Sequence, residues 1–326
     1  MAFTLVGKGV DAVSNYGDEE TAYGTAGSTV TKVFGNGATV GVSLNNNTER
    51  LYGLGDRNAK KLVTKKMDVS WNADFALSNA YFMRFVLGTI ASSTGSGPYI
   101  RTYGENNTLP SMTIRNAFNL DTDSLHTILG AKVNSMTINC NAGEMAKCRL
   151  EGFAQKLVKT STLGTTLSGS SAGDVEDPLI FSGASVKLGS STSLDVQSLE
   201  ITIGNNLEML YGLGSRFATK AVAKAREYSF KINEAYEDDT LQLDNFMGSD
   251  TQSTTAPANL ATMVATFTNG LATTLTRELV MTFASIQLPT YDYTMDINEI
   301  IKEDVTYYAL ACSGAQYTNN STIDGA

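Results

Sequence analysis

Histidine is almost missing from this sequence: His126 is the only one in 326 residues. A single imidazole excludes a multi-histidine zinc site, a serine–histidine–acid triad in each half of the chain, and the zincin motif. Set in Ser124-Leu-His-Thr-Ile-Leu, it is expected to be structural. Cysteine is scarce as well. Cys140, Cys148 and Cys312 are too few, and odd in number, for a disulfide framework, so three free and mostly buried thiols are expected. No run of 18 apolar residues occurs, so no membrane-spanning helix is expected. The opening Met1-Ala-Phe-Thr-Leu-Val-Gly-Lys has neither a basic nor an apolar stretch, and no export signal is expected. Charged residues make up only 17%.

Threonine, serine, asparagine and 29 glycines take the place of the missing charge, a mixture suited to strands with polar faces joined by tight turns. The charge that is present is uneven. Residues 1–160 carry 16 Lys and Arg against 13 Asp and Glu, and residues 161–326 carry 8 against 20, for a net charge of −9. An acidic second half argues against a protein that grips nucleic acid through its phosphates. It allows a basic face of one half to meet an acidic face of the other in a neighbouring copy, or simply solvates the surface.

The strongest signal is self-similarity. Asn46–Trp71 aligns without a gap on Asn205–Phe230, 159 residues on, with 14 of 26 positions identical. The shared core reads Leu-Tyr-Gly-Leu-Gly-x-Arg-x-Ala-x-Lys-x-Val-x-Lys, carried by Tyr52, Gly53, Gly55, Arg57, Lys61 and Lys65 in one copy. Tyr211, Gly212, Gly214, Arg216, Lys220 and Lys224 carry it in the other. A weaker match joins Lys132–Gln155 to Ala284–Ser313, at an offset near 157. A period near half the chain predicts two whole domains rather than a solenoid: 1–160, a Ser/Gly-rich linker at 161–177, and 178–326.

Polar–apolar alternation predicts strands at Lys66–Trp71, Val133–Ile138, Val196–Ile203 and Ala225–Ile232, with Arg149–Ala154 and Thr306–Ala311 closing the two domains. Gly35-Asn36-Gly37 predicts a hairpin turn between extended segments, and the paired glycines of the repeat predict a sharp turn. One short helix per half is predicted, at Ser78–Gly88 and Tyr236–Gly248. Two polar loops, Ala91–Pro110 and its shorter equivalent Ser249–Pro257, are expected, in an assembly, to reach a neighbouring subunit.

Chemistry is hard to find. Gly53-Leu-Gly and Gly212-Leu-Gly lack the remaining spacing of either glycine-rich phosphate loop. The carboxylate groups Asp121/Asp123, Glu237–Asp239 and Asp292/Asp296 fit no calcium-loop spacing, and the first two groups have no counterpart in the other half. No catalytic residue, metal ligand or cofactor is assigned. Arg57, Lys61 and Lys65, matched by Arg216, Lys220 and Lys224, form a basic stripe kept in both copies; it is either a solvated face or a subunit contact.

Two β-rich domains of this size, each with one short helix and a Tyr-Gly-Leu-Gly-x-Arg motif before a long strand, resemble the major tail tube proteins of long-tailed bacterial and archaeal viruses. The resemblance implies a mainly β fold of two tandem β-sandwich or partial-barrel domains with flanking helices. It implies a virion protein, assembled in the host cytoplasm, whose strands join those of neighbouring copies into the hollow tube through which DNA is ejected. Two fused domains imply three chains per ring and pseudo-sixfold symmetry. Its partners would be copies of itself, the terminator, the baseplate or distal tail, the tape measure, and passing double-stranded DNA. An acid-lined lumen would repel phosphates, with Asp68, Asp195, Glu200 and Glu227 as candidates. The alternatives are a non-polymerising terminator or baseplate ring protein, and a β-sandwich adhesin.

Overall fold

A computed structural model describes residues 12–27, 29–94, 98–118, 124–161, 177–189, 191–193, 196–235, 241–248, 260–271, 276–292 and 301–319. In chain order the first half contributes β1 (Ala12–Glu19), β2 (Val30–Lys32), β3 (Asn36–Asn45), β4 (Glu49–Tyr52), β5 (Ala59–Val63), β6 (Asp68–Ala76), α1 (Met83–Leu87), β7 (Gly88–Ser93), β8 (Tyr99–Glu105), β9 (Met112–Phe118), β10 (Ser124–Asn141), β11 (Lys147–Ala154) and β12 (Lys156–Thr160). The second half contributes β13 (Ile180–Leu188), β14 (Ser191–Ser193), β15 (Val196–Gly204), β16 (Leu207–Tyr211), β17 (Ala218–Ala223), β18 (Glu227–Ala235), α2 (Leu241–Met247), β19 (Leu260–Thr268), β20 (Arg277–Gln287) and β21 (Lys302–Asn319). Among the described residues the protein is mainly β, with two short helices, as its alternating sequence leads one to expect.

Antiparallel pairing carries one curled, half-barrel sheet through β3-β6-β11-β10-β15-β18-β21-β20-β19-β13-β14. β10 serves two sheets. Its first residues pair with β9 and β12, and its last with β11 and β15. β9 continues outward to β1, and β1 to β2. The halves therefore meet strand to strand, at Ser135↔Gly204 through Asn141↔Ser198.

The ladders recur. Leu44↔Val69 and Trp71↔Val42 between β3 and β6 reappear as Ile203↔Tyr228 and Phe230↔Ile201 between β15 and β18, each residue 159 further on. Trp71↔Gly152 reappears as Phe230↔Tyr307, and Leu129↔Lys156 as Ala284↔Ala311. Ile114↔Ile128 matches Met263↔Phe283; Tyr16↔Ile114 matches Leu188↔Met263; Tyr16↔Lys32 matches Leu188↔Ser191. Strand order and register are thus shared even where the offset drifts: 159 for β3 and β6, 155 for β11, 149 for β9 and 172 for β1. The offset near 157 expected for the closing stretch is 155 in the ladders, because residues are gained and lost between strands.

One hydrophobic cluster runs through both halves, including Tyr16, Phe34, Trp71, Phe82, Phe85, Phe230, Phe283 and Tyr307. β6 alternates Val69, Trp71, Ala73 and Phe75 inward with Asp68, Ser70, Asn72 and Asp74 outward, and β18 does the same with Tyr228, Phe230 and Ile232. Each large apolar side chain so buried contributes roughly 1.5–3 kcal/mol. The matching core positions are filled differently: Trp71 lies across from Gly152, whereas Phe230 stacks on Tyr307 at 5.3 Å.

Several expectations need correction. Gly35-Asn36-Gly37 is not a hairpin turn, because β2 pairs with β1 and β3 with β6; the chain passes there from one sheet to the other. Gly35 is required by crowding, since a Cβ would lie 2.4 Å from the Ala76 carbonyl oxygen. Most of Ala91–Pro110 is not a loop but the β7–β8 hairpin, and its β8 edge pairs with β21 of the same chain at Tyr103↔Ala315 through Tyr99↔Asn319. The first helix begins at Met83 rather than Ser78; Ser78 is buried, and the helix ends on left-handed Gly88. α2 starts at Leu241. Residues 121, 123, 237–239, 249–257 and 296, and 162–176 of the linker, lie outside the described residues.

Candidate assembly surfaces

The repeat motif builds the same object twice. β4–β5 and β16–β17 are two-stranded hairpins outside the main sheet, placed between β3 and β6 and between β15 and β18. Both turn on Gly-Leu-Gly: Asp56 and Ser215 amides donate to the carbonyls of Gly53 and Gly212, with Gly55 and Gly214 at φ of 83° and 87°. That left-handed conformation is open to glycine without steric cost, which is why the motif keeps it. Leu54 and Leu213 point fully into solvent at the two tips. Below each hairpin, Asn47 and Asn206 take φ of 46° and 47°, and their side-chain amides donate to the Lys66 and Ala225 carbonyls at 3.1 and 2.9 Å. Asparagine tolerates this backbone better than most residues, which gives the shared Asn-Asn its physical role.

The basic residues of the motif do not form one stripe. Lys65 pairs with Glu49, and Lys224 with Glu208 at 3.3 Å, inside their own hairpins. Lys61 and Lys220 are exposed on β5 and β17. Arg216 is engaged across the halves: its Nε donates to the Lys65 carbonyl at 3.0 Å and its Nη2 to Asn46 Oδ1 at 2.8 Å. The Met67 amide donates back to the Arg216 carbonyl at 2.9 Å. Arg57 is exposed at the turn of the other hairpin, without such partners among the described residues.

β16–β17 in fact lies docked on the first half. The Tyr211 hydroxyl donates to Asp68, Gln155 donates to the Ala218 carbonyl at 3.1 Å, and Lys132 Nζ donates to the Ala221 carbonyl at 3.0 Å. Burial acts to raise the Asp68 pKa, but hydrogen bonds from Tyr211, Asn47 and Lys66 outweigh it and hold the carboxyl below its usual value. Burial and the same carboxylate push the Tyr211 hydroxyl well up. Burial lowers Lys132 despite the nearby Glu19 and Glu20. Gln155 and Lys132 lie outside the 46–71 motif, at the two ends of the weaker Lys132–Gln155 match, and that match carried no sign of this contact; the Tyr211–Asp68 pair joins two motif regions that no spacing rule connects.

The second surface is the open face of the curled sheet, opposite the core. Serine, threonine and asparagine line it: Ser70 and Asn72 on β6, Thr137 and Asn139 on β10, Thr202 on β15 and Ser229 on β18. Several of its cations are paired within the chain, while Lys187 on β13 and Lys302 on β21 are exposed. Arg149 lies 2.6 Å from Glu151 and 3.7 Å from Asp74, Lys147 lies 2.8 Å from Glu144, and Lys231 lies 3.7 Å from Asp304. Of the candidate lumen residues, Glu200 and Glu227 are exposed on this sheet, Asp68 sits at the hairpin contact, and Asp195 lies outside the described residues.

No group of three or more His, Cys, Asp or Glu able to hold a metal occurs among the described residues. The thiols are free and buried; burial pushes Cys140 to about 11 and Cys312 to about 12. His126 is half-buried, sits edge-on to Phe118 at 5.2 Å and lies 3.2 Å from the Ser124 hydroxyl, as a structural histidine should.

A family profile described as phage tail tube protein matches residues 9–309. The chain belongs to that family. Comparison with curated proteins gives no match. As a tail tube protein it is a structural component of the virion. No helix among the described residues is long and apolar enough to cross a membrane.

Proposed function

We propose that this tail tube protein forms stacked rings of three chains, each chain supplying two copies of one tube domain, so that six similar units surround a channel for DNA. The observation that carries the reading is the recurrence of the strand ladders together with the β10–β15 junction. Within one chain, that strand-to-strand junction supports a unit continued by the next. β3 occupies in the first unit the place of β15 in the second, yet its only described ladder is to β6. Among the described residues its other edge has no ladder partner, and an open strand edge is an aggregation hazard unless another chain covers it. Closing the ring would satisfy it.

The open polar face is the candidate lumen. Paired cations and exposed carboxylates such as Glu200 give a surface on which a phosphate backbone finds little to hold it. Other tail components — terminator, tape measure, baseplate or distal tail — would meet the ring faces.

Negative-stain microscopy of the purified protein tests the reading. Hollow tubes are expected. Isolated rings that never stack would point to a terminator or baseplate role, and monomers at high concentration that bind a glycan would point to an adhesin.

A further inference from the structure

Most contacts that dock β16–β17 on the first half have counterparts on the other side of the chain. Tyr211 and Asp68 correspond to Tyr52 and Glu227, both exposed. The Arg216 bond to the Lys65 carbonyl corresponds to Arg57 and Lys224. The Met67 amide, which donates to the Arg216 carbonyl, corresponds to the Arg226 amide and the Arg57 carbonyl. Ala221, 5% exposed on the docked hairpin itself, corresponds to Leu62, 64% exposed. Gln155, matched through β11 and β21, corresponds to Leu310, 76% exposed.

These counterparts cannot meet inside one chain. Between β3, beside which β4–β5 emerges, and β18, which begins at Glu227, lie β6, β11, β10 and β15. Five strand spacings amount to about 24 Å. We infer that the β4–β5 hairpin docks on the second half of another copy of this chain, with Tyr52 donating to Glu227, Arg57 to the Lys224 carbonyl, and Leu62 packing near Leu310. This deepens the ring reading above and rests on it. The partner is fixed by complementarity: a tyrosine hydroxyl for a carboxylate, a guanidinium for a carbonyl, and an exposed leucine on each facing surface, Leu62 in the place of Ala221 and Leu310 in the place of Gln155. One internal partner has no external equivalent, because Asn205 Oδ1, the counterpart of Asn46 Oδ1, is already taken by Arg226 Nε at 2.8 Å. The external contact therefore depends more on its apolar pair.

Two variants of the full chain test this. Tyr52→Cys with Glu227→Cys, assembled and treated with a short bismaleimide, is expected to give denatured bands of two and three chains, which neither single variant gives; the native thiols are buried. Leu62→Glu is expected to leave the monomer's melting temperature unchanged and to raise the concentration needed for assembly by about tenfold or more. Tubes that form normally but yield only monomer bands, or that ignore Leu62→Glu, would overturn the hairpin contact and leave the tube reading standing. Failure of the unmodified protein to assemble would remove both.

Discussion

β4–β5 and β16–β17 share their turn, their Asn-Asn base and their Glu–Lys ion pair, but not their surroundings. Ala218 is 1% exposed and its counterpart Ala59 is open to solvent; Tyr211 is bonded to Asp68 and its counterpart Tyr52 is not bonded to Glu227. The difference does not come from the hairpins. On the proposed docking it comes from whether the landing site belongs to the same chain. A surface that is internal in one copy would then serve assembly in the other, which would give a physical reason for the motif to stay alike in two halves whose net charges differ.

Substitutions can break this comparison. The largest effect is expected in the shared core, where the two halves should respond alike: Trp71→Ala and Phe230→Ala should each cost about 3–5 kcal/mol in denaturant unfolding. Gly152→Ala should also destabilise, since a Cβ would lie 2.0 Å from the Lys132 carbonyl oxygen, and about 1–3 kcal/mol is expected. At the open edge, proline on β3 separates fold from assembly. Of two adjacent sites, Val40→Pro and Gly41→Pro, the one whose N–H points away from β6 should spare the monomer and suppress tubes, a loss of about 3 kcal/mol of contact measured by sedimentation.

The two arginines should then part company. Arg216→Glu should speed amide exchange in β16–β17 of the monomer, as expected for loss of charge-assisted hydrogen bonds worth about 1.5–3 kcal/mol. Arg57→Glu should leave monomer exchange unchanged and weaken assembly. Acid should reproduce the first effect. The Asp68 pKa is lowered on folding, so its contribution is full above the unfolded value of 3.8 and is lost as pH falls through the folded one. Exchange in β16–β17 should rise in that range, and Asp68→Asn should abolish the rise. The smallest effect is expected for Lys65→Ala and Lys224→Ala, equal in the two hairpins and about 0.5 kcal/mol, since both pairs are solvent-exposed.

Residues 46–71 were legible as a repeat because the hairpin and its flanking strands keep one offset of 159, so identities line up without a gap. The other strands were not. Their offsets drift between 149 and 172, and their matching core sites exchange Tyr16 for Leu188 and Gly152 for Tyr307, which keeps total packing while erasing identity. β7 and β8 read as loop because Ser92, Ser93, Thr102 and Gly104 are polar or small, and such a strand pair differs from a loop only through its partner, here β21. At the hairpins the sharp turn was legible; the spacing that singled out Arg216 offered a solvated face or a subunit contact and gave no sign of its bonds to Lys65 and Asn46 of the same chain. Asp68 was read as lumen-facing because alternation alone places it on the wet side of β6, and only the fold reveals Tyr211 above it.

Electron cryomicroscopy of assembled tubes tests the central claim most directly. Three chains per ring, with the free edge of β3 paired to the second half of the adjacent chain much as β10 pairs with β15, is the expected result. Six chains per ring, or β3 left facing solvent in the finished tube, would contradict it.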